Sequence, residues 1–97
     1  MYTARDAVCC ETLRCSAKDV VVLDLDGTDT VAKVQGHAMA NDICISCVVP
    51  WTKQRGNIFS TTGQAIWTLT SDIKNVCVYR PEGRVAFVVP PRSLPSI

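Results

Sequence analysis

Ninety-seven residues are one domain's worth of chain, since two independent cores would leave each half too small to stabilise itself. Ten Lys and Arg against nine Asp and Glu leave a net charge of +1, which excludes polyanion or membrane-surface binding driven by bulk charge. At 47% hydrophobic and 20% charged, the chain lies outside the range of intrinsic disorder and carries less charge than a free monomer usually displays, which points to a buried interface.

No stretch is long and apolar enough to span a bilayer. Arg5, Asp6, Glu11 and Arg14 stand where a secretory signal needs an apolar run, so the expectation is a cytoplasmic protein, or a particle component assembled there. In that compartment the six cysteines stay reduced and act first as small buried hydrophobes.

The chain divides into an N-terminal segment over residues 1–18, a β core over 19–89 and a proline-rich arm over 90–97, all within one domain. In the first segment Thr3 and Asp6 make an imperfect capping box, and Ala4, Val8, Thr12 and Cys15 share a helical face, so the spacing predicts a short helix. Residues 20–25 are an apolar strand running into Asp26-Gly27, a strong hairpin signal, with residues 30–35 as its partner. Residues 43–49 alternate as a half-buried strand, residues 52–57 read as a polar loop, residues 58–60 as a short strand and residues 65–70 as another. The last hairpin joins residues 76–79 to 84–89 through Arg80-Pro81-Glu82-Gly83. Proline fixes φ and removes a ladder donor, so residues 90–97 are expected as an extended arm. The fold class expected is mainly β, a small antiparallel barrel or sandwich of six to seven short strands.

Val21-Val22-Leu23-Asp24-Leu25-Asp26-Gly27-Thr28 resembles the first motif of the haloacid dehalogenase superfamily. The resemblance implies Asp24 as the nucleophile toward phosphorus, Asp26 as the group handling the leaving-group proton, bound magnesium, and a parallel α/β sheet. It would also need a later hydroxyl, for which Thr70 or Ser71 stands, a lysine, for which Lys74 stands, and an acidic pair. The resemblance covers only that short run. After Asp42 the acids are Asp72 and Glu82, not paired, and no crossover helix is expected after Thr28, so the residues read as a strand ending in a turn.

Cys44-Ile45-Ser46-Cys47 has the spacing of a zinc or redox pair, and Cys10 with Cys15 can supply a second pair; this is the metal alternative. Residues three apart on a strand face opposite ways, however, and no helix follows Cys47 to lower a thiol pKa. His37, in Gln35-Gly36-His37-Ala38-Met39, reads as a structural histidine in a loop. Lys53 and Arg55 near Trp51 are the candidate nucleic-acid patch, and the net charge disfavours it. No cofactor is expected.

The reading that remains is a non-enzymatic structural or interaction subunit of a larger assembly, of the kind that decorates a viral capsid or joins a phage head to its tail. Its partners would be other protein subunits, in a homo- or hetero-oligomer. Residues 20–23 and 76–79 are apolar on both faces and call for cover from a neighbour, and Pro90, Pro91, Arg92, Leu94, Pro95 and Ile97 are the candidate contact residues.

Overall fold

The computed structural model describes residues 2–4, 6–8 and 14–89, with burial described from residue 16 to residue 89. Among the described residues there are eleven strands: β1 Tyr2–Ala4, β2 Asp6–Val8, β3 Arg14–Ser16, β4 Val20–Leu25, β5 Thr28–Ala40, β6 Ile43–Pro50, β7 Thr52–Arg55, β8 Ile58–Ser60, β9 Ile66–Leu69, β10 Ile73–Glu82 and β11 Val85–Val89. One 3-10 turn, Thr70–Asp72, links β9 to β10. The fold is mainly β and antiparallel throughout, with the order β7-β8-β11-β10-β4-β5-β6-β9, β1 added to β5, and β2 paired with β3 apart.

In place of the helix expected over residues 1–18, the described residues 2–4, 6–8 and 14–16 of that segment are strands. Thr3 pairs with Ala38 on β5, and Asp6 pairs with Ser16 in the β2–β3 hairpin. The β-branched Thr3 and Val8 lose rotamer freedom in a helix, and the long β5 offers β1 a ladder partner. Cys9, Cys10 and the arm at 90–97 lie outside the described residues.

Two turns set the hairpins. Asp26 and Gly27 both have positive φ (52° and 82°), as do Asn41 and Asp42 (52° and 67°), the type I′ geometry whose twist matches flanking strands. The second turn pairs Ala40 with Ile43 and so draws residues 36–40 into β5. In the last hairpin, Pro81 is a strand residue opposite Ala86, and the tight turn falls at Gly83, which takes φ 64°. Pro81 is tolerated because β10 pairs with β4 only as far as Cys77, leaving no partner for a proline N–H to miss.

The sheet closes on itself through one bent strand. β6 continues through Trp51, whose N–H donates to the Val31 carbonyl (2.8 Å), directly into β7. That strand therefore stands at both ends of a ring, β4-β5-β6/β7-β8-β11-β10, which is a small barrel. Residues 52–57, expected as a polar loop, are mostly β7 instead: its residues are all exposed, but its backbone pairs with β8.

Inside the ring sit Val20, Trp51, Cys77, Ala86 and Val88, with Val31, Phe59 and Tyr79 packed against them. Trp51 and Tyr79 meet edge to face at 5.9 Å. On the opposite face of the same strands, Val21, Leu23, Ala32, Val34, Val48 and Ile73 form a second cluster. The 3-10 turn crosses this face on its way from β9 to β10, and the buried Ile73 and Thr70 belong to that cover. Thus β4 is apolar on both faces because its own chain buries both, at roughly 1.5–3 kcal/mol per fully buried aliphatic side chain. The cover expected from a neighbour over residues 20–23 is supplied internally. Val78, in contrast, is 74% exposed, beside Val89 at 58%.

Candidate functional site

Asp24 and Asp26 do not stand in the parallel α/β sheet that the resemblance implies. The sheet is antiparallel, and Asp24 on β4 stands directly opposite Asp29 on β5, with one carboxylate oxygen buried and without a hydrogen-bond partner among the described residues. Lys74 reaches Asp29 at 2.6 Å; this hydrogen bond, then the charge of Asp29, and lastly that of Asp24, raise the lysine pKa above its ordinary 10.5. The cation thus serves as counter-ion to two like charges forced together by strand register.

Cys44 and Cys47 lie on β6 opposite Met39 and Gly36, three residues apart and therefore on opposite faces. Among the described residues no three His, Cys, Asp or Glu gather as metal ligands. Cys15 belongs to β3 and Cys10 is outside the described residues. Lys53 and Arg55 are exposed on β7, but Trp51 is buried in the barrel and offers no stacking face beside them. Phe87 is covered by the Arg80 guanidinium at 5.1 Å.

His37 is not in a loop. It is buried in β5 opposite Ser46, in a polar line the sequence reading missed: His37 Nδ1 to Ser46 Oγ, 2.6 Å; Ser46 Oγ to Thr70 Oγ1, 2.6 Å; Thr70 Oγ1 to Cys44 Sγ, 3.1 Å. Each hydroxyl carries one hydrogen. Thr70 donates to the sulfur, so Ser46 donates to Thr70, and the Nδ1–H of His37 donates to Ser46. Ser46 is wholly buried, and this line holds β5, β6 and the 3-10 turn together.

What the surface does present lies on the other face of β5, β6 and β9. A cavity of about 570 Å³ opens at one end of the barrel, lined by Lys33 and Gln35 of β5, Val49 and Trp51, the Thr61-Thr62-Gly63 loop, and Tyr79, Pro81 and Gly83. Its loop wall is fixed by a close approach: a Cβ on Gly63 would stand 2.7 Å from the Pro50 carbonyl oxygen.

Side-chain alternation places further rows on the face that Val49 shares with this cavity. Beyond the Lys33 and Val49 pair come Gly36, Cys47 and Trp67, then Ile45 and Leu69 beside the fully buried Ala38, then Ala40 and Ile43. Trp67 is 53% exposed, Leu69 46% and Ile43 53%. The result is an apolar stripe along β6 and β9 that begins at the cavity, and among the described residues β9 is an edge strand paired on one side only. The sequence carried the alternation at Ile43, Ile45 and Cys47 and at Trp67 and Leu69, but alternation alone does not say which face the core takes.

Fold and surface define a closed antiparallel β barrel with a mixed cavity at its mouth and an exposed apolar stripe on an open edge. Comparison with protein families, curated proteins and solved structures finds no match to this chain.

Proposed function

We propose that this chain is a non-enzymatic interaction subunit, held in a larger assembly through the stripe on β6 and β9. The observation that carries this reading is Trp67, half exposed beside Leu69 on a strand whose second edge is unpaired among the described residues. Scattered exposed apolar residues are ordinary, but a contiguous row ending in a tryptophan on an open sheet edge is the surface that partners bury. The low charge fraction of 20% agrees with burial of such a surface. The partner is other protein, as further copies or different subunits, and the most concrete form of the reading is a virus or phage particle component of the capsid-decorating or head–tail joining type. Native mass spectrometry of the full chain tests the reading by counting subunits. A defined oligomer supports it, and a single chain at every concentration refutes it for self-assembly.

A further inference from the structure

We infer that the stripe and the cavity at its head receive residues 90–97 of a second copy, so that copies join head to tail. This inference rests on the assembly reading above. Those eight residues, Pro90-Pro91-Arg92-Ser93-Leu94-Pro95-Ser96-Ile97, follow β11 directly. Three prolines bias them to the polyproline II conformation, which docks on aromatic-lined grooves with little ordering entropy left to lose. The cavity offers such a lining: Tyr79 with Val49 and Pro81, over the buried Trp51, flanked by the Gln35 amide and the Thr61 and Thr62 hydroxyls for peptide groups.

Length agrees as well. Eight polyproline II residues span roughly 25 Å. Four rows, from Lys33 and Val49 to Ala40 and Ile43, are three two-residue steps apart, roughly 20 Å of strand. Leu94 and Ile97 supply the apolar side chains that a row containing Trp67 and Leu69 can bury.

Direction decides between a chain's own arm and a neighbour's. Gly83 rims the cavity, and β11 runs from that turn to Val89, which pairs with Val78, one residue along β10 from the Cys77, Val20, Lys33 and Val49 level. Four antiparallel steps, β11 to β10, β4, β5 and β6, make β11 and β6 run the same way, so the chain leaves β11 heading from the Ile43 end of β6 toward the Pro50 end. Docking on its own stripe requires a full reversal, whereas docking on the next copy requires none. A contact between two different surfaces is heterologous and builds a ring or an open row of subunits.

The test uses a nine-residue peptide, residues 89–97, titrated into the full chain carrying Leu94→Lys, whose own arm is disabled, with backbone amide and Trp67 indole signals followed by NMR. Saturable shifts at Lys33, Cys47, Trp67 and Leu69 are expected, and Trp67→Lys should weaken binding by about thirtyfold or more. Absence of shifts at millimolar peptide, or shifts confined to the Val78 side of the barrel, overturns the inference. Sedimentation separates it from the assembly reading. If wild-type chain assembles and Leu94→Lys assembles equally well, the arm has no role and assembly stands. If wild-type chain is always single, self-assembly falls and the inference with it. When both hold, Leu94→Lys and Trp67→Lys chains are each single alone and combine as one-to-one pairs that grow no further, because such a pair has only one intact arm and stripe to join.

Discussion

The opposition of Asp24 and Asp29 shows what strand register can impose on single side chains. Like charges directly across a ladder are unfavourable, here with a buried carboxylate oxygen lacking a partner among the described residues and an exposed lysine compensating. Asp24→Asn removes the repulsion and keeps the shape, so thermal unfolding should show unchanged or higher stability, by about 0–1 kcal/mol. A marked loss would mean that the Asp24 charge has a role this geometry does not give it. The line from His37 to Cys44 works in the opposite sense, since Ser46→Ala leaves the His37 Nδ1–H and the Thr70 oxygen without their buried partner. Its expected cost is about 1–3 kcal/mol, against less than about 0.5 kcal/mol for Ser60→Ala at an exposed hydroxyl pair. Cys77 gives a pH signature. Burial raises its thiol pKa above the ordinary 9.0, so the native state holds the proton more tightly than the unfolded chain does. That contribution is complete below pH 9.0 and is lost as pH rises through the raised value. Unfolding midpoints measured on both sides of that range should fall less in Cys77→Val than in wild type.

At the scale of elements, β4 matched its sequence pattern residue for residue because an apolar run closed by Asp-Gly admits one strand and one turn. β5 is longer than the pattern suggested, and the reason is local: Asn41 and Asp42 can take left-handed φ without glycine, so the hairpin forms there and carries His37 into the sheet. That one turn separates a loop histidine from a buried one, and with it went the polar line, which no spacing in the sequence announces. The strand count rose above six to seven because the N-terminal segment supplies β1, β2 and β3, and because Trp51 joins β6 to β7 and lets one bent strand serve two neighbours. The Gly63 loop is the element the candidate site leans on most. Gly63→Ala would force a methyl group against the Pro50 carbonyl, and overpacking of this kind costs about 1–3 kcal/mol. Amide shifts at Thr61, Thr62 and Val49 should move together in that variant, and a variant with wild-type shifts and stability would show that the loop does not rest on Pro50.

Across the whole molecule, the low charge fraction announced an interface without locating it. The double-sided apolar strand β4, which suggested a neighbour, is covered from within, while the alternating strands β6 and β9 carry the exposed row. Amphipathicity was legible; its outward sense depended on the barrel closing through Trp51. The most direct measurement is the subunit count of full chain by native mass spectrometry for wild type, Trp67→Lys and Val78→Lys in parallel. Both substitutions place a charge at an exposed valine or tryptophan and so spare the fold, but only Trp67 lies on the stripe. A wild-type oligomer that survives Val78→Lys and comes apart in Trp67→Lys is the predicted result. A single chain in all three, or an oligomer that Trp67→Lys leaves intact, would contradict the account.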